Sequence, residues 1–172
     1  MRGGPVPIAA LAALLALPAQ AIELHFCWQG AAGYSMTGTM RFPDALLDAP
    51  RIDEGDVTGF EITGWHEGAR LGSWSLAALT PQTSWMLEFD PDEMRFVMPG
   101  IGVFQAWNAD GHVSDCGTPG FGFNAGNGGQ DICVDGRFVN ESTIHWSTPL
   151  RATPEPVNPG CGQNILLSER AR

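Results

Sequence analysis

The sequence predicts an all-β protein, an antiparallel β-sandwich, with an up-and-down β-barrel as the alternative. Three observations carry this. Tyr34 to Phe42 alternates strictly, with Tyr34, Met36, Met40 and Phe42 on one parity and Ser35, Thr37, Thr39 and Arg41 on the other. An extended chain sends successive side chains to opposite faces, so this stretch reads as a strand with one dry and one wet side. The pattern recurs in about nine short runs separated by Gly, Pro, Asn and Asp turns, and almost nothing follows a helical period.

Residues 1–21 read as a signal peptide: Arg2, an apolar run from Ile8 to Leu17, Pro18, then the small residues Ala19-Gln20-Ala21. The run is half the roughly 20 residues that a spanning helix needs, so cleavage after Ala21 is expected rather than a permanent anchor. The expected organisation is a single β-domain over 22–148 and a Pro-rich tail over 149–172 packing on it. The expected location is periplasmic or secreted, with no membrane span after cleavage.

The formal net charge of −10 becomes −11 once the leader takes Arg2 with it. Such a surface lacks the cations that neutralise phosphate, so nucleic acid is excluded as a partner. The chain contains no lysine. Schiff-base chemistry and a phosphate-loop lysine are therefore excluded as well.

Cys27, Cys116, Cys133 and Cys161 in an exported chain predict two disulfides, and the absence of Cys-x-x-Cys spacing argues against a zinc ribbon. The favoured pairing is Cys116 with Cys133, closing a glycine-rich loop and contributing about 3 kcal/mol, and Cys27 with Cys161, tying the tail to the first strand.

Glu23 to Gln29 places Leu24, Phe26 and Trp28 against Glu23, His25, Cys27 and Gln29, and Gly30-Ala31-Ala32-Gly33 joins this run to the next as a hairpin. Cys27 falls on the wet parity, so its partner must come from outside the core, as a covering tail would provide. Gly38 marks a bulge or close packing. Asp44 to Asp48 predicts one helical turn before Pro50, and Asp53-Glu54-Gly55-Asp56 reads as a solvated acidic turn rather than a calcium loop.

Val57 to His66 is a strand with Phe60 and Ile62 inward and Glu61, Thr63 and Trp65 outward. A large aromatic on a polar face is the informative exception, although a covering loop explains it too. Trp65, with His66 and Glu67 after it, is the candidate ligand-binding group. Gly72 to Leu79 predicts a short strand turning helical around Leu76. Residues 83–98 predict a hairpin about Asp90-Pro91-Asp92-Glu93, with Trp85, Leu87, Phe89, Met94, Phe96 and Met98 on its apolar side.

Asn108-Ala109-Asp110-Gly111 reads as a hairpin turn rather than a calcium loop, because Ala106 and Gly117 occupy the outer ligand positions. Between Cys116 and Cys133 lies a glycine-rich loop, anchored by Phe121 and Phe123. Two last strands are expected around Ile132, Val134 and Phe138, and around Ile144 and Trp146. Asn140-Glu141-Ser142 matches the glycosylation acceptor pattern. Pro149, Pro154, Pro156 and Pro159 predict an extended segment outside the sheet interior, and Ile165-Leu166-Leu167 a further edge strand.

The nearest approach to a serine-hydrolase elbow, Gly33-Tyr34-Ser35-Met36-Thr37, lacks the last glycine and lies in a strand, so Ser35 is not a nucleophile. His25, His66, His112 and His145 show no metal-ligand spacing, and no metal or cofactor is expected. The preferred reading is a non-enzymatic domain that binds a glycan, another envelope component or a small ligand. A lipocalin-like small-ligand carrier is the alternative, and a hydrolase acting on envelope polymer the less favoured one.

Thr37-Gly38-Thr39-Met40-Arg41-Phe42, Val57-Thr58-Gly59-Phe60-Glu61-Ile62 and the later Trp-rich hairpins resemble uncharacterised bacterial exported β-proteins, many of which end in a Pro-Glu-Pro sorting signal. Pro154-Glu155-Pro156 and the ending with Arg170 and Arg172 echo that signal, without an apolar segment between them. The resemblance implies export and an all-β fold, and supplies no catalytic residue.

Overall fold

A computed structural model describes residues 20–99, 104–109, 116–117 and 120–161. The predicted leader, the Asp110-Gly111 part of the predicted turn and Ile165-Leu166-Leu167 lie outside these. The chain forms two antiparallel sheets, one of them strongly curled into a half-barrel.

The first hairpin follows the alternation. β1 (Ala21–Gln29) pairs with β2 (Tyr34–Pro43) along its whole length, from Ala21 opposite Pro43 to Gln29 opposite Ser35. The predicted helical turn is a 3₁₀ turn, Asp44–Leu46. β3 (Ile52–Asp53) is followed by the acidic turn, whose carboxylates cap the backbone: Gly55 N donates to Asp53 Oδ1 at 2.8 Å and Asp53 N to Asp56 Oδ2 at 3.1 Å. β4 (Gly59–His66) and β5 (Ala69–Ser75) form the next hairpin, and the chain then turns through Leu76–Ala78.

β6 (Trp85–Met86) precedes β7 (Glu88–Asp90) and β8 (Arg95–Phe96). Only β7 and β8 pair; β6 joins β9 (Gln105–Trp107) in the other sheet, so the expected hairpin over 83–98 is split between sheets. Alternation reports which side chains face the core, not which neighbour completes the hydrogen bonds. Both sheets share that core.

The expected glycine-rich loop is corrected to a hairpin of β10 (Phe121–Gly126) and β11 (Gly129–Val134), inside the Cys116–Cys133 disulfide. Gly122 is room rather than slack: a Cβ there would lie 2.2 Å from the Asn108 carbonyl oxygen. Asn108 itself holds the left-handed conformation with φ 52°, and its Nδ2 donates to the Phe121 carbonyl at 2.9 Å.

β12 (Arg137–Phe138) ends the smaller sheet. The strand expected at Ile144 and Trp146 is reduced to one bridge, Ile144 with Gln130, and Trp146 is 37% exposed. In the Asn140-Glu141-Ser142 pattern, Asn140 is exposed, whereas Ser142 is buried and its hydroxyl donates to the Val139 carbonyl.

The tail contains the largest correction. β13 (Leu150–Thr153) lies between β8 and β1 inside the larger sheet, whose order is β3-β7-β8-β13-β1-β2-β4-β5; the smaller runs β12-β11-β10-β9-β6. Pro149 and Pro154 flank this strand without entering it, and proline bars only the position it occupies. Among the described residues thirteen strands therefore replace the nine expected, many of them only two or three residues long.

The core is aromatic. Phe26 packs 4.8 Å from Phe96 and 5.5 Å from Trp107 between ring centroids, and Trp107 lies 4.8 Å from both Phe60 and Phe123. Gly38 is close packing, not a bulge: a Cβ there would stand 2.2 Å from Phe26 Cζ. Gly64 makes the same room for Phe121, at 2.0 Å. Buried Gln105 ties together segments with few ladder bonds, its Nε2 donating to the carbonyls of Glu88 (2.9 Å) and Val97 (2.7 Å).

Candidate functional site

The strand registers define the outer face of the larger sheet. His25, Thr39, Glu61 and Ser75 form one row across β1, β2, β4 and β5; Cys27, Thr37, Thr63 and Ser73 form the next. The face is thus lined with hydroxyls, and the chain after β13 crosses it. The Cys27–Cys161 disulfide fastens that chain to β1, as Cys27's outward parity requires. Val157 borders a shallow hollow of about 270 Å³ with His25, Thr37, Thr39, Glu61 and Thr63.

A larger hollow, about 480 Å³, lies at the hairpin tips and is lined by Gln29, Tyr34, Ser35, Glu67 and Pro159 together with backbone at Gly30, Gly33, Gly68 and Gly160. Local conformation explains why the tips converge. Ala32 and Gly33 in one turn, and Glu67 and Gly68 in the other, all have positive φ, the geometry of tight hairpin connections. Glu67 N donates to the Gly33 carbonyl at 3.0 Å, joining tip to tip. Next to this bond the Tyr34 ring stacks on His66, centroids 4.1 Å apart and planes 13° from parallel.

The three predicted ligand-binding residues separate. Glu67 is exposed and lines the hollow. His66 does not line it; its ring stacks on Tyr34, on the opposite parity from Trp65. Trp65 stays on the outer face, half-buried, and its Nε1 donates to Thr37 Oγ1 at 3.0 Å. Its indole is therefore held across the hydroxyl-lined face rather than pointing free.

Sequence reasoning missed Gln29 and Tyr34. Tyr34 is the only tyrosine in the chain and directly follows a glycine-containing turn. Its parity assigned it to the core, against which it packs, while it also borders the hollow. Gln29 carried no signal beyond its place at a strand end.

The arrangement suits noncovalent recognition: a carboxamide, a hydroxyl and a carboxylate at an open hollow beside a tyrosine. Among the described residues, no three His, Cys, Asp or Glu side chains converge in a way that would hold a metal ion. Both disulfides are formed and none of the four cysteines is free, which is the chemistry of an oxidising, extracytoplasmic compartment. Among the described residues, no helix is long and apolar enough to cross a membrane. Compared with known proteins, the chain matches no family model, no curated protein and no solved structure.

Proposed function

We propose that this chain is an exported binding domain, periplasmic or secreted, whose hairpin-tip hollow holds an uncharged saccharide unit of an envelope glycan. The observation behind this reading is a hollow that presents Gln29, Ser35 and Glu67 beside Tyr34, whose ring stacks on His66. A sugar ring has apolar C–H faces and a rim of hydroxyls. An aromatic ring takes the former, and amide and carboxylate groups take the latter. Glu67 is a charged acceptor and strengthens hydrogen bonds from sugar hydroxyls while repelling anionic ligands.

Export is supported by the leader-like first 21 residues together with the two cross-links. A carrier with a dry interior has less support, because Phe26, Phe96, Trp107 and Phe123 fill the space between the sheets. The test is binding of neutral oligosaccharides to the oxidised protein by calorimetry. Tyr34→Ala and Glu67→Gln are each expected to weaken binding at least about tenfold, the scale of one lost charged hydrogen bond or aromatic contact. Unchanged affinity in both variants overturns the reading.

A further inference from the structure

Away from this hollow, the basic side chains gather at one place. Three of the six arginines among the described residues, Arg51, Arg95 and Arg151, lie across the outer side of β3, β7, β8 and β13. The register sets Asp90 opposite Arg95 and Arg95 opposite Arg151, while Arg51 Nη1 lies 3.4 Å from Asp90 Oδ2. The row thus carries three guanidiniums and one carboxylate.

Their partners differ. Arg51 is divided between Asp90 and Glu88, whose Oε2 lies 3.9 Å from its Nε. Arg151 Nη1 donates to the Glu93 carbonyl at 3.2 Å. Arg95 has no carboxylate oxygen within 4.0 Å among the described residues. Arg51 and Arg95 border an open hollow of about 250 Å³ together with the Asp90 carboxylate, and Val97, Met98 and Ser147 lie on its other sides.

A guanidinium presents a fork of donors matched to two oxygens of one oxyanion. Here one fork without a carboxylate partner and a second held only at 3.4 Å face a common space. An uncharged ligand offers the Arg95 fork no counter-charge. We propose that this hollow is a second binding site, for an oxyanion group (carboxylate, sulfate or phosphate), either free or carried on a larger envelope molecule. It does not depend on the hairpin-tip reading, since it shares no residue with it.

The test is a titration of the oxidised protein with sodium sulfate, inorganic phosphate and a uronic acid at constant ionic strength. It is followed by NMR at the arginine Nε–H groups and the backbone amides of Val97 and Ser147. Saturable shifts are expected, with affinity about tenfold lower in Arg95→Gln and intermediate in Arg95→Lys, which keeps the charge but not the fork. Arg137→Gln, on the smaller sheet, is expected to leave affinity unchanged. Saturation by the inorganic anions as tightly as by the uronic acid marks a free-anion site; tighter binding of the uronic acid marks a group on a saccharide. Shifts that do not saturate, or an equal loss in Arg137→Gln, overturn the proposal. Arg95 is exposed, and near-ultraviolet circular dichroism checks that its variants keep the fold.

Discussion

Trp28 Nε1 donates to Gln130 Oε1 at 2.9 Å, a buried hydrogen bond that joins β1 of the larger sheet to β11 of the smaller. The Gln130 Nε2 donates in turn to the carbonyls of Thr148 (2.6 Å) and Trp146 (3.1 Å), in a segment with only one bridge to the sheet. One amide thereby satisfies an indole and the approach to β13. Gln130→Leu is expected to cost roughly 3 kcal/mol, because it strands a buried N–H and two carbonyls. Chemical denaturation measures this, and a loss under 1 kcal/mol removes the network's role.

Gly38→Ala tests close packing. The added methyl meets Phe26 at 2.2 Å and the Glu61 carbonyl oxygen at 2.8 Å, and the backbone oxygen cannot swing aside. A loss of about 2 kcal/mol is expected from overpacking. If Phe26→Leu recovers all of it, Phe26 rather than the backbone is the obstacle.

Removing the outer disulfide tests the tail. The Cys27–Cys161 bond closes a span of 134 residues, for which chain entropy gives about 5 kcal/mol. Cys27→Ser with Cys161→Ser is expected to lose stability on that scale and to speed hydrogen exchange over 157–160. The hairpin-tip hollow loses the wall formed by Pro159 and Gly160, so saccharide affinity should fall as well. Unchanged exchange shows that packing alone holds the segment.

Asp131 gives the expected pH dependence. Burial pushes its carboxyl up from 3.8 to about 6, against a hydrogen bond from Asn124 that lowers it, and its Oδ1 has no partner among the described residues. A raised folded-state value means that the native protein binds a proton more readily than the unfolded chain. Stability therefore falls as pH rises from about 4 to 6 and stays lower above that. The contribution is on the order of 1 kcal/mol, since solvent still reaches the group. Asp131→Asn should flatten the stability curve between pH 4 and 6; an unchanged slope assigns it to other carboxylates.

What residues alone determine here is local. The alternation of β1, β2 and β4 placed Phe26, Met36, Met40 and Phe60 in the core, because side-chain direction in a strand depends only on parity. The same parity put Cys27 outside, and with four cysteines it led to the pairing observed. Pairing between strands is not local. Short strands such as β6 and β13 gain ladder partners only from segments far along the chain, so their sheet and neighbours emerged only on folding. Glycine at positions 38, 64 and 122 reads as flexibility in one dimension and as space for a ring or carbonyl in three. The sites follow the same division. Glu67, singled out by its place after Trp65 and His66, lines the hairpin-tip hollow. The Tyr34–His66 stack and the row of Arg51, Arg95 and Arg151 exist only because antiparallel registers bring distant positions to one face.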